Sequence, residues 1–281
     1  MNIVKVKREM ERFFLEDIGE RDISVQYIFN ENDIGEGAFV AKVSGVLAGV
    51  SLIELGYGLL SSRVLVTYEK ADGDYIQKGD VIARVRGPMR TLLSGERVIL
   101  NMIQRMSGIA TATKEMVEAL NSDHTRICDT RKTMPGLRMF DKYAVTCGGG
   151  YNHRYGLSDG VMLKDNHIAY AGSIGEAVAQ VRASVGHMVK IEVETETKDQ
   201  VLEAIESNVD VIMFDNRSPE EVTEYMKIVP SHIVTEASGG IGLHNISTYH
   251  HTGVDYISLG CLTHSVTALD ISFNIRGGIK G

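Results

Sequence analysis

From Asn121 onward the chain alternates short apolar runs with amphipathic stretches, and few folds survive that constraint. Residues 126–129, 160–165, 189–195, 210–216, 233–238 and 255–260 read as strands, separated by helical stretches such as 173–185 and 218–229. Units of this kind fit a parallel α/β barrel or a doubly wound sheet. The polar residues decide between the two. The runs end in turn at Asp129 and Arg131, Lys164, Glu194, Asp215, Ser238 and Gly260. A barrel gathers such ends at one mouth, where barrel enzymes build their sites, whereas a flat sheet strings them along an edge. No G-x-G-x-x-G follows the first run, which removes the main support for a dinucleotide-binding sheet.

Up to about Arg90 the periodicity is different. Residues 37–50, 63–73 and 74–87 alternate with period two and are punctuated by Gly and Asp-Gly, so this part reads as short strands and turns. The turns Asp72-Gly73-Asp74 and Lys78-Gly79-Asp80 resemble those of biotinyl or lipoyl carrier half-barrels. A carrier needs a modifiable lysine in a Met-Lys or Asp-Lys motif at a hairpin tip. None lies on a turn here, and the turns read as structural. From Leu92 to Leu120 apolar residues recur at three and four, predicting a long helix whose start is marked only by a half-formed cap at Ser94.

Charge narrows the ligand. The chain has 29 Lys+Arg against 37 Asp+Glu, a formal charge of -8, yet residues 126–168 hold seven Lys/Arg and four Asp/Glu. A cationic island in an anionic protein draws small carboxylates or phosphates while the remaining surface repels polyanions, so nucleic acid is not an expected partner. The start lacks the apolar core of a secretory signal, and no run reaches the roughly 20 apolar residues of a membrane span. Cys128, Cys147 and Cys261 form no C-x-x-C pair and read as reduced thiols, so a cytoplasmic protein is expected.

Within the island, Arg131, Arg154 and Lys164 form a set suited to a small dianion, since a guanidinium grips a carboxylate through two parallel hydrogen bonds. His153 and His167 are the histidines placed to touch a substrate; none of the nine has zinc-site spacing. Glu194 and Asp215 end neighbouring runs and offer hard oxygen ligands to Mg2+, which takes one or two protein carboxylates and fills its shell with water and phosphate oxygens. Ser238-Gly239-Gly240-Ile241-Gly242, read as opening a helix, and Leu259-Gly260-Cys261 let backbone N–H groups approach a phosphate.

These motifs in this order resemble the quinolinate phosphoribosyltransferases. The likeness runs from Leu15-Glu16-Asp17-Ile18-Gly19 through Glu96-Arg97, residues 107–113, 129–138, 142–145, 148–154 and 164–168 to Thr263-His264-Ser265. It implies an N-terminal α/β sandwich (1–107), with a tail of about 270–281 packed on it, and an incomplete, about seven-stranded α/β barrel (108–269). It also implies transfer of the phosphoribosyl group of 5-phosphoribosyl-1-pyrophosphate to quinolinate, giving nicotinate mononucleotide, pyrophosphate and CO2, with Mg2+. Carried over by motif, Arg131, His153, Arg154 and Lys164 hold the two carboxylates, with Thr130 alongside. Lys132, Glu194 and Asp215 serve the ribose, pyrophosphate and Mg2+. The backbone at Ser238, Gly239 and Gly260 holds the 5-phosphate. Arg97 reaches the pocket of a neighbouring subunit, which implies a homodimer or an oligomer of dimers with shared sites.

The chain departs from the family pattern in Gly19-Glu20-Arg21-Asp22-Ile23, where a second Gly before the Asp is usual, and at Phe214, where an aliphatic residue is usual; neither change touches the site. The rivals are a related phosphoribosyltransferase of the molybdate-transport-associated group, a nicotinate-using phosphoribosyltransferase, and a non-catalytic anion-binding or carrier protein. The first departs at the Asn-His-Arg and Lys-Asp-Asn-His motifs that this chain keeps, the second needs fewer cations, and the third does not need Glu194 and Asp215 beside phosphate loops.

Overall fold

The computed structural model describes residues 1–279, with side chains through residue 275. It divides into two compact units: residues 1–114, 134–149 and 265–281, and residues 115–133 and 150–264. Residues 134–149 group with the first unit; residues 280 and 281 of the tail lie outside the described residues.

The first unit begins with α1 (Ile3–Ile18), started by Asn2, whose Oδ1 accepts from the N–H groups of Val4 and Lys5. Val6, Met10 and Phe14, four apart, are its buried stripe. A short helix α2 (Ile23–Ile28) follows, capped by Asp22. Then come β1 (Ile34–Ala41), β2 (Gly45–Val46), α3 (Ser51–Leu60), β3 (Leu65–Tyr68), β4 (Tyr75–Ile76) and β5 (Val81–Pro88). The helix α3 falls where the sequence reads as strands and turns. Gly56 and Gly58 hide its pattern, but Leu52, Ile53, Gly56 and Tyr57 share its buried face. The long helix α4 (Met89–Leu120) starts three residues before Leu92, and the Ser94 hydroxyl donates to Asp22 at 2.9 Å instead of capping it. The helix α5 (Arg138–Cys147) also belongs here.

The last strand of the chain, β12 (Ile271–Ile279), pairs antiparallel with β1, giving a sheet of order β12-β1-β5-β3. Phe273 stacks 4.9 Å from Phe39 and lies over Gly37, where an added Cβ would come within 2.3 Å of its ring. The Asp-Gly turns are structural: Asp72 accepts from the Val50 N–H at 2.8 Å and the Tyr143 hydroxyl at 2.7 Å.

In the second unit the strands are β6 (Arg126–Cys128), β7 (Val161–Leu163), β8 (Ile191–Thr195), β9 (Val211–Asp215), β10 (Val234–Ser238) and β11 (Tyr256–Ser258). Between them lie α6 (Asp165–Ala171), α7 (Ile174–Arg182), α8 (Lys198–Glu206), α9 (Pro219–Met226), a 3-10 turn at Ile246–Tyr249 and α10 (Cys261–His264). All six strands are parallel, in the order β6-β11-β10-β9-β8-β7. About seven were expected. In place of a seventh strand there is a single parallel bridge between Tyr151 and Cys128, fixed by Tyr151 N–H to the Ile127 carbonyl at 2.8 Å and Asp129 N–H to the Tyr151 carbonyl at 3.1 Å. No pairing joins Tyr151 to β7 among the described residues, so the barrel is not closed.

Candidate active site

Strand register brings the polar residues together. Glu194, Met213 and Glu236 stand level on β8, β9 and β10, and one step further toward the carboxyl ends Asp215, Ser238 and Ser258 stand level on β9, β10 and β11. Since side chains alternate along a strand, both rows project to one face. They form the floor of a cavity of about 530 Å³, completed by Thr130, Arg131, Lys132, His153, Arg154, Met162, Lys164, Asn216, Gly239 and Gly240.

The cationic wall is pre-arranged. Asp129, fully buried, accepts the His153 N–H at 2.9 Å and fixes the loop after Tyr151; its role is structural. Arg154 donates from Nη1 to the Gly160 carbonyl at 2.9 Å, while its Nε and that of Arg131 are buried without a partner. Two such donors are an open demand for an anion. Burial, and then the nearby charge of Arg131, hold the Arg154 guanidinium's proton affinity below its ordinary value. Lys164 differs: its Nζ sits directly on Glu194 Oε1.

His153 is tied into the protein. Its Nδ1 accepts the Arg154 N–H at 2.8 Å, which puts the ring proton on Nε2, 3.1 Å from Glu192 Oε2 and 3.5 Å from Glu236 Oε2. Ligand atoms of these three residues lie within 4.8 Å of one another. With Nδ1 accepting, Nε2 carries hydrogen and has no lone pair for a metal, so the cluster is a hydrogen-bonded one. His167 is exposed and outside the cavity lining; its Nδ1 accepts the Lys164 N–H at 3.0 Å and caps α6.

Glu236 was not singled out in the sequence, although alternation through Ser238 puts it on the cavity face. Burial, and then the charge of Glu192, push its carboxyl from an ordinary 4.5 up to about 7. The folded protein thus holds this proton more tightly than the unfolded chain does. The resulting stabilisation is complete below the ordinary value and is lost as pH rises toward 7. Glu236→Gln is expected to remove that loss: urea midpoints at pH 5 and pH 8 should differ less for the variant than for the parent, and equal differences would contradict the assignment.

The glycine loops have steric reasons. Gly239 has φ +87° and an added Cβ would meet Asn216 Oδ1 at 2.3 Å, so the backbone itself faces the cavity. The loop leads into bends and the 3-10 turn, not into the α-helix expected there. Gly260 does not line the cavity; its Cβ position lies 3.0 Å from Lys132 Cδ, so the glycine makes room for that lysine. Thr263 donates to the Lys132 carbonyl at 2.9 Å and fixes the same loop. Arg97 belongs to the first unit, exposed in a groove with Asp17, Asp22 and Glu96. Among the expected site residues, all but Gly260, Arg97 and His167 line the one cavity.

Glu194 and Asp215 supply the hard oxygens that Mg2+ prefers, without a third acidic or histidine ligand beside them among the described residues. That set suits an ion completed by water and a substrate's phosphates.

Comparisons with known proteins agree over both units. Residues 22–107 match the family model for the quinolinate phosphoribosyl transferase N-terminal domain, and residues 109–274 match that for its C-terminal domain. A Bacillus subtilis protein named as a probable nicotinate-nucleotide pyrophosphorylase (carboxylating) is 54% identical over 98% of this chain and 95% of its own length. The crystal structure of NadC from Streptococcus pyogenes superposes with a TM-score of 0.95 at 39% identity, covering 99% of this chain and 98% of that one. A nicotinate-nucleotide pyrophosphorylase structure from Francisella tularensis gives 0.93 at 33% identity, covering 98% of each. The chain therefore belongs to the quinolinate phosphoribosyl transferase family.

Proposed function

We propose that this protein transfers the phosphoribosyl group of 5-phosphoribosyl-1-pyrophosphate to quinolinate with loss of CO2, forming nicotinate mononucleotide for de novo NAD biosynthesis. The observation that carries this is the pair of half-buried arginines, each with a buried and unpartnered Nε donor, lining one cavity with two carboxylates and a glycine loop. Arg131, Arg154 and Lys164 take the acid's carboxylates and set the pyridine nitrogen against C1 of the ribose. Lys132 and the Ser238-Gly239 backbone take the donor's phosphates. Glu194 and Asp215 would hold Mg2+, which would supply neutralising charge for the leaving pyrophosphate.

As the C1–oxygen bond breaks, its electron pair leaves with pyrophosphate, and Glu194 and Asp215 stabilise the positive charge developing on the ribose. The ring nitrogen's lone pair forms the new bond, with positioning supplying much of the acceleration. The C2–carboxylate bond then breaks, the pyridinium holds the electron pair, and a proton is taken at C2. Arginines tight on that carboxylate oppose its departure, so this contact loosens once the ribose bond has formed.

The test is release of labelled CO2 from quinolinate carrying carbon-14 in its C2 carboxylate, with donor and Mg2+ present. Formation of nicotinate mononucleotide from nicotinate, without CO2 release, would overturn the reading. The molybdate-transport-associated and non-catalytic alternatives are not favoured, because close relatives carry the carboxylating name over almost their whole length. The reading places the enzyme in the cytoplasm, supported by Cys128, Cys147 and Cys261 standing as thiols outside any disulfide. No helix among the described residues is long and apolar enough to cross a membrane.

The shared-site dimer is part of the same proposal, with Arg97 completing a partner's pocket. Mixing inactive Arg97→Ala and Arg131→Ala chains is expected to restore about a quarter of parent activity, the share that random pairing into two-site dimers allows. Failure to complement, with mixed dimers confirmed, removes Arg97 from the site.

A further inference from the structure

The three cations of the wall are not in the same state. Arg131 and Arg154 keep buried Nε donors unpartnered, whereas Lys164 is already paired, on the carboxylate of Glu194. Its backbone is fixed as the cap of α6, through His167, but its side chain is 45% exposed, on a flexible four-carbon stem that can swing without moving the helix. Glu194 is held more tightly, at 18% exposure on β8 between neighbouring strands. Lys164 and Glu194 line the same cavity and belong to its two halves, the lysine to the cationic wall and the glutamate to the acidic floor.

We propose that Lys164 is an exchangeable counter-ion that couples the two halves: it neutralises Glu194 in the empty site and transfers to the dicarboxylate when the acid binds, releasing Glu194 for a divalent cation. This rests on the functional reading above and adds a linkage to it. A carboxylate paired with an ammonium is a poor cation ligand, since the cation must first displace the lysine. An incoming dianion offers Lys164 a second partner of the same charge in a pocket where two guanidiniums already hold it. The acid and the cation then each favour the state the other binds, and the coupling is reciprocal.

Binding, not turnover, tests this. Mn2+ alone, titrated by calorimetry or by its electron-spin signal, is expected to bind about tenfold more tightly with saturating quinolinate than without. Adding an anion to any site attracts a cation, so the lysine's part is isolated by a double-mutant cycle read in quinolinate affinity without metal. Glu194→Gln should tighten quinolinate binding about tenfold when Lys164 is present, because the lysine is freed. In a Lys164→Met background the same change should have little effect; a general charge effect would be of equal size in both. Circular dichroism of each variant checks that the fold is kept.

Equal Mn2+ affinity with and without quinolinate, or an equal effect of Glu194→Gln in both backgrounds, overturns the coupling while leaving the function standing. If the parent protein fails to bind quinolinate at all, the functional reading falls and the coupling with it.

Discussion

Arg131→Ala is expected to lower kcat/KM for CO2 release by about a thousandfold, or about 4 kcal/mol. The side chain reaches the cavity with its Nε buried and unpartnered, so the folded protein already bears the cost of desolvating that donor. A carboxylate that takes two charge-assisted hydrogen bonds from the guanidinium recovers this cost and adds to it, at about 1.5 to 3 kcal/mol for each bond. Alanine forfeits both bonds. Lysine at the same position should rescue little, because an ammonium lacks the planar fork that reads a carboxylate's two oxygens. The same variants measured by quinolinate titration should lose affinity in parallel. A fall of less than tenfold in kcat/KM would mean that Arg131 does not hold the substrate.

The second large effect is on stability. Asp141, fully buried on α5, accepts from Arg105 Nε at 2.9 Å and Nη2 at 2.8 Å, a two-point pair within the first unit. Burial raises the proton affinity of the Asp141 carboxyl, and Arg105 pulls it back only in part. Asp141→Ala leaves the Arg105 guanidinium, only 20% exposed, without that partner, and should cost about 3 to 5 kcal/mol in urea unfolding. Glu224→Ala, which breaks an exposed pair with Lys227, should cost no more than about 1 kcal/mol in the same experiment. Similar losses for the two variants would show that the buried pair has no special weight.

The strands of the second unit were legible because a parallel sheet covered on both faces tolerates polar side chains mainly at strand ends. Ile191, Val193, Ile212, Phe214, Ala237 and Ile257 are all buried, and Arg131, Lys164, Glu194, Asp215 and Ser238, at the ends of the runs, line the cavity. The missing seventh strand was illegible for the converse reason. A single bridge at Tyr151 leaves no apolar run, only Gly148-Gly149-Gly150 before it and Asn152-His153-Arg154 after it. In α3, Gly56 looks like a breaker, yet an added Cβ there would press on Ile99 at 3.0 Å; the glycine is present for close packing. Glu236 escaped notice because a glutamate inside a strand usually faces solvent. Only the neighbours supplied by the fold, Glu192 and His153, reveal why it is buried.

The unclosed side of the barrel bears on how its arginines should be studied. Tyr151 on one side and β7 on the other share no backbone ladder, but the hydrogen bond from Arg154 to the Gly160 carbonyl spans that seam, one residue before Val161 begins β7. A side chain thus stands in for the rungs a seventh strand would have provided, and the residue that would grip the substrate is also the clasp holding two loose edges together. Loss of Arg154 would mix a binding defect with a spreading of the mouth, whereas Arg131 reports on recognition without undoing that clasp.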